Sequence, residues 1–176
     1  MPFCKRLCWF CACRTQGTKT LKPVSDYLTD LIHEARSIAD HVPAATPMAR
    51  LHLGGGTPTL LSGKQMRRLL SALFAAFPQT PDFEFSVEID PTDAAPDVLA
   101  TLADWDMTRA SIGVQDFDPK VQQAIGREQS FAQTETIVQA LRAGGVRSLN
   151  IDLLYGLPHQ SAESLTATLD QVVSLR

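Results

Sequence analysis

The sequence predicts an α/β fold on a parallel sheet, open or closed only into a partial barrel. Three observations carry this expectation. Amphipathic helical segments alternate with short apolar runs, as parallel strands joined by right-handed crossovers require. Glycine and polar motifs follow the apolar runs, where such folds place their functional loops. Only four full strands can be counted, with at most a remnant before Cys4, too few for an eight-stranded barrel.

From Pro23 to His41 the apolar positions Val24, Tyr27, Leu28, Leu31, Ile32, Ala35 and Ile38 recur every three or four residues, and Pro23 suits a first helical turn. Leu51–Leu53 reads as a short strand that runs into Gly54, Gly55 and Gly56. A helix is expected from Ser62 through Phe77, with Ser62 and Gln65 at capping-box spacing. Phe83–Ile89 reads as a strand, Pro96–Trp105 as a helix and Arg109–Val114 as a strand. The next helix, Ser130–Ala143, has Ser130 and Gln133 at capping spacing and Gly144 and Gly145 where a left-handed end is wanted. Ser148–Leu154 is expected as a buried strand, and Ser161–Leu175 as a last helix.

With 44% hydrophobic and 20% charged side chains over 176 residues, the chain suits one globular domain with a sizeable core. The formal net charge is −3 with scattered Lys and Arg, so the basic stripe of a nucleic-acid binder is missing and no such partner is expected. No apolar run reaches the roughly 18 residues of a membrane span, and no signal-like start is present. A cytoplasmic monomer without a membrane partner is therefore the expectation.

All four cysteines, Cys4, Cys8, Cys11 and Cys13, fall in the first thirteen residues, which argues against a disulfide framework. The spacing Cys4-x3-Cys8-x2-Cys11 lets a short loop turn three soft, anionic thiolates onto one iron-sulfur cluster and leave one iron open. A structural zinc site using all four sulfurs is the alternative, although zinc ribbons usually separate two close pairs by a longer spacer. Four unligated buried thiols fit less well, because Lys5, Arg6 and Arg14 would surround them with charge that favours thiolates.

Gly54-Gly55-Gly56-Thr57-Pro58 directly follows a strand, so its backbone can approach a ligand without side-chain obstruction, or it is simply a tight turn. It matches no phosphate-loop or dinucleotide pattern. Glu88 and Asp152 end two strands and suggest a polar site, though each could equally cap its next loop. Gln115, Asp116 and Arg127 follow another strand and could reach the same mouth, or form a solvated loop with a surface ion pair. Phe10 could cover a bound adenosyl group or shield the cluster. His33, His41, His52 and His159 have no spacing that demands a metal and read as solvated or structural.

Taken together, the cysteine motif, Gly54-Gly55-Gly56-Thr57-Pro58, Val87-Glu88-Ile89-Asp90-Pro91, Gly113-Val114-Gln115-Asp116-Phe117, Arg127-Glu128-Gln129 and Asn150-Ile151-Asp152-Leu153-Leu154-Tyr155-Gly156-Leu157-Pro158 resemble oxygen-independent coproporphyrinogen III oxidase, a radical S-adenosylmethionine family. The resemblance implies a partial parallel (βα) barrel and a 4Fe-4S cluster on Cys4, Cys8 and Cys11, with Cys13 outside the ligand set. It implies two S-adenosylmethionine molecules, one touching Gly55 and Glu88, the other Phe10, Gly56, Thr57, Gln115, Arg127 and Asp152. The implied chemistry is reductive cleavage of S-adenosylmethionine to a 5'-deoxyadenosyl radical, fed by an unidentified electron donor. The radical takes hydrogen from propionates of coproporphyrinogen III, which lose carbon dioxide and become vinyl groups in protoporphyrinogen IX. No residue is assigned a catalytic role. Related haem-binding chaperones usually lack the thiol after the third ligand, so Cys13 and the segments at Gln115 and Arg127 favour the oxidase.

Members of that family begin with an aromatic, histidine-containing strand before the Pro-x-Cys element. The resemblance thus implies that residues 1–176 are a radical S-adenosylmethionine core domain incomplete at both ends, lacking most of the first strand and the C-terminal part. Exposed sheet edges invite aggregation, so poor solubility or activity of the chain alone is expected. Three readings follow: a catalytic fragment of the oxidase, a haem-binding relative, or an inactive truncated product.

Overall fold

The computed structural model describes residues 1–43 and 46–176. The chain enters through two short strands, Phe3–Cys4 (β1) and Gln16–Gly17 (β2), paired in parallel around the cysteine segment. Then follow Lys22–Ala39 (α1), Met48–Leu53 (β3), Gly63–Ala76 (α2), Gln79–Ile89 (β4), Pro96–Asp104 (α3), Arg109–Gln115 (β5), Pro119–Ile125 (α4), Phe131–Ala143 (α5), Ser148–Leu153 (β6) and Ala162–Ser174 (α6). Strands β3, β4, β5 and β6 form one sheet in that order, every pair parallel.

Residues alternate between the two faces of a strand, and the register carries that alternation across the sheet. Leu51 and Leu53 pair with Phe85 and Val87, Val87 and Ile89 with Ala110 and Ile112, and these with Leu149 and Ile151. This face is apolar and covered by helices. Val24 and Leu28 of α1, Met66 and Leu70 of α2, Val98 and Leu102 of α3 and Val138 and Leu141 of α5 are buried in one cluster with it. Phe74 packs edge-on between Phe83 and Trp105, at centroid distances of 5.5 and 5.0 Å, which closes the N-terminal end of the core. On the opposite face the same register aligns His52 with Ser86, Glu88 with Ser111, Ser111 with Asn150 and Gly113 with Asp152. One pleat therefore separates a dry core from a polar surface.

The expected capping boxes form at Ser62–Gln65 and Ser130–Gln133, and a third joins Ser161 to Ser164. Left-handed backbone occurs at Gly145, with φ 89°, whereas Gly144 keeps φ −78°. Strand β6 is not buried as expected: Ser148, Asn150 and Asp152 are exposed because it is an edge strand with one polar face. β4 starts four residues before the expected Phe83, and its pairing with β3 is irregular between Met48 and Arg50. Three short elements lay outside the expectation: β2, a 3-10 turn at Pro58–Leu60, and α4. In α4 the Asp118 carboxylate accepts from the amides of Lys120 and Val121, and left-handed Gly126 ends the helix. No helix among the described residues is long and apolar enough to cross a membrane.

Asp116 does not face the cavity mouth as expected. It is fully buried and accepts hydrogen bonds from the Thr168 hydroxyl (2.8 Å), the Gln160 amide group (2.6 Å) and the Asp118 amide (2.7 Å), so it ties β5 to α6. Thr168→Val should leave that carboxylate one donor short and the Phe117 amide without its acceptor. The expected cost is about 2 kcal/mol, read as a lower urea midpoint with an unchanged slope.

Candidate cofactor and metal site

The site begins where the cysteine segment crosses the turn after β3. Gly56 donates its amide to the Met1 carbonyl and Thr57 donates to the Phe3 carbonyl at 2.8 Å, so β1 lies directly on the glycine run. A Cβ on Gly56 would overlap the Phe3 carbonyl and stand 3.0 Å from Cys4 Sγ. One on Gly55, whose φ is +105°, would stand 2.6 Å from the Met1 carbonyl oxygen. Close approach therefore requires glycine at both positions. The Gly55 amide donates to Glu88 Oε2 at 2.9 Å, so the amides of Gly55, Gly56 and Thr57 are all engaged within the protein.

Beyond Cys4 the loop is pinned on several sides. Lys5 pairs with Asp93 at 2.6 Å, Arg6 donates to Thr92 Oγ1 and the Glu128 carbonyl, and the Trp9 amide donates to the Ile125 carbonyl at the end of α4. The chain returns through Gln16, whose amide donates to the Pro2 carbonyl, and Thr18, which donates to the Cys4 carbonyl. Lys5 and Arg6 thus serve as anchors rather than as a cationic shell around the sulfurs. The cation beside a thiol is Arg127, whose Nη1 lies 3.7 Å from Cys8 Sγ.

Cys4, Cys8 and Cys11 line one cavity of about 550 Å³, and Phe10, Gly55, Gly56, Thr57, Glu88, Gln115, Arg127 and Asp152 line it too. Apart from Asp116, the site residues expected from the sequence therefore line one cavity together. Cys13 also lines it, and its thiol pKa is pushed up, chiefly by a hydrogen bond with Cys11 and then by the negative charge of Cys11. Among the described residues, no three His, Cys, Asp or Glu side chains converge tightly enough to hold one metal ion. The thiols line a space that can take a multi-atom group.

The strand ends supply the polar wall. Glu88 Oε1 lies 3.4 Å from His52 Nε2, while His52 Nδ1 lies 2.8 Å from Ser86 Oγ. Asp152 accepts from the Ser111 hydroxyl at 2.9 Å and from Asn150 Nδ2 at 2.6 Å. Gln115 ends β5 with φ 72°, a strained conformation for a residue other than glycine, at a break in register with β6. Arg127 is not part of a solvated surface pair: it is 11% exposed and reaches Asp90 Oδ2 at 3.1 Å and the Gly113 carbonyl at 2.9 Å. Its Nε is buried without a partner.

Asp90, Gly113 and Ser111 line the cavity but received no role from the sequence, whereas His52, read as solvated or structural, contacts Glu88 without lining it. A Cβ at Gly113 would lie 3.0 Å from Arg127 Nη2, so a side chain there would crowd the guanidinium. The period-two pattern of β4 and β5 places Ser111 on the face of Glu88, a usable signal. The contact between Asp90 and Arg127 joins distant segments and has no local trace.

The chain matches the Radical SAM superfamily model over residues 1–172. It is 54% identical over 176 residues to "Coproporphyrinogen III oxidase, anaerobic 1" of Cereibacter sphaeroides, covering all of this chain and 39% of that protein. An oxygen-independent coproporphyrinogen III oxidase of Pseudomonas aeruginosa is 39% identical over 178 residues, again with 39% of its length covered. The solved coproporphyrinogen III oxidase of Escherichia coli, described as a radical SAM enzyme, superposes with a TM-score of 0.94 at 39% identity, over 100% of this chain and 40% of that one. A radical S-adenosylmethionine methyltransferase from Kitasatospora setae shares the fold alone, with a TM-score of 0.63 at 19% identity, covering 98% of this chain and 33% of that one. The chain belongs to the radical SAM superfamily, and spans about two fifths of the length of these oxidases.

In metal-free protein, alkylation of Cys13 should set in at higher pH than that of an ordinary thiol, because a thiolate there would face negative charge and lose its bond to Cys11. Cys11→Ala should move the onset down. Mass spectrometry of the alkylated peptide across a pH series reads both.

Proposed function

We propose that this member of the radical SAM superfamily binds a 4Fe-4S cluster and S-adenosylmethionine in the cysteine-lined cavity. We propose further that it forms the core, residues 1–176, of an oxygen-independent coproporphyrinogen III oxidase in porphyrin and haem biosynthesis. The observation that carries this is the convergence of Cys4, Cys8 and Cys11 with Glu88, Arg127 and Asp152 on one cavity. The names of its relatives support coproporphyrinogen III as the substrate.

The residues fit the implied groups. Three thiols around a space are the donor set for a cluster with one iron left open. Arg127 lines the same cavity as a cation that suits an anionic ligand group such as a carboxylate, and its buried Nε has no partner among the described residues. When bound, the cluster and S-adenosylmethionine supply the 5'-deoxyadenosyl radical that takes hydrogen from the substrate propionate.

Everything else falls to the chain. Cys4, Cys8 and Cys11 hold the cluster from a loop fixed by Lys5, Arg6 and Trp9. Glu88 fixes Gly55 through its amide and keeps its second oxygen toward His52. Asp152, oriented by Ser111 and Asn150, presents an acceptor to the hydroxyl or amino groups of the cofactor. Phe10, Gly56, Thr57 and Gln115 complete the wall, which positions the ligand and limits competing hydrogen donors. A cytoplasmic monomer fed by a separate electron donor, with no nucleic-acid partner, completes the proposal.

Anaerobic reconstitution followed by iron and sulfide counting tests the ligand assignment. Cys8→Ala should lose most of the iron and Cys13→Ala should retain it; equal loss in both would sink the assignment. Turnover of coproporphyrinogen III under the same conditions tests the activity, and tight haem retention without decarboxylation would favour the haem-binding relative.

A further inference from the structure

Arg127 is held as few surface arginines are. Its backbone amide donates to the Gln122 carbonyl at 2.9 Å, Nη2 donates to the Gly113 carbonyl at 2.9 Å, and Nη1 stands between Asp90 Oδ2 at 3.1 Å and Cys8 Sγ at 3.7 Å. Asp90 is fixed in turn, because its other oxygen accepts from the amide and the hydroxyl of Thr92 at 2.9 and 2.8 Å. The side chains are only 11% and 16% exposed, so solvent screens their charges weakly. Gly113 leaves the room this arrangement needs.

From this geometry we propose that Asp90 and Arg127 are a pair of positioning residues that set the reduction potential of the cluster through the Cys8 sulfur. The inference rests on the proposed cluster ligation by Cys4, Cys8 and Cys11. Reduction adds one negative charge to the cluster and its thiolates. A cation that hydrogen-bonds a ligand sulfur stabilises the reduced form and raises the potential. Asp90 opposes this in part, since its carboxylate shares the same Nη1. The two members of one ion pair therefore act on the potential in opposite directions, which a merely structural pair would not do.

The test is a reductive titration with dithionite, followed by electron paramagnetic resonance, on the reconstituted full chain and its variants. Arg127→Gln should shift the midpoint to more negative potential and Asp90→Asn to more positive potential. Each shift should be about tenfold in the reduced-to-oxidised ratio at fixed potential, or about 59 mV for a one-electron couple. Arg127→Lys, which keeps the charge, should stay nearer the parent than Arg127→Gln. If Arg127→Gln alone fails to load iron while Arg127→Lys loads it, the cation is needed at Cys8, and the Lys and Asn variants still report the potential. Shifts of the same sign in Asp90→Asn and the Arg127 variants, or parent-like potentials in all of them at parent-like iron content, overturn the proposal. Failure of the parent chain itself to bind iron is a different result and counts against the ligation it rests on.

Discussion

The site depends on the crossing of β1 over the glycine turn that follows β3. Two backbone hydrogen bonds, from Gly56 to Met1 and from Thr57 to Phe3, bring the cysteine segment to the C-terminal edge of the sheet. Any side chain at Gly55 or Gly56 would push it away. Glu88 locks the same turn from the neighbouring strand through the Gly55 amide. The glycines thus act less as a cradle of free amides than as a seat for Cys4, and the position of the first thiol follows from contacts made entirely by backbone and one carboxylate.

Around that seat, the sheet sorts its residues by chemistry. The odd-numbered positions of β4, Phe85, Val87 and Ile89, go to the core, and the even-numbered positions of β5, Ala110, Ile112 and Val114, match them. Glu88, Ser111, Gly113 and Asp152 are left on the other face, aligned by register. Burial of the first set fixes the register, because a slip of one residue would turn these apolar side chains outward. The polar wall is therefore specified by the core behind it.

Much of this was legible in the sequence, for identifiable reasons. The helices and central strands declare themselves by period, and the Ser62 and Ser130 caps by local spacing. The candidate site residues were singled out by motifs that resemble a known family, and the fold brings them to one cavity. What stayed hidden depends on long-range geometry. Asp116 reads as a loop acid, yet it is buried by Thr168 and Gln160, about fifty residues onward in the chain. Arg127 reads as reaching the site mouth or as half of a surface pair, yet its contacts with Asp90 and Cys8 join distant segments that no local pattern connects. Strand β6 reads as buried from its apolar residues, but edge position decides its exposure.

The central claim is that three cysteines leave one iron of a cluster open to S-adenosylmethionine. Electron paramagnetic resonance of the reduced, anaerobically reconstituted protein, recorded before and after adding S-adenosylmethionine, tests it most directly. The account predicts a cluster signal whose shape and g-values change when the ligand joins the open iron. A cluster signal indifferent to S-adenosylmethionine, or zinc taken up by the cysteines in place of iron, would contradict it.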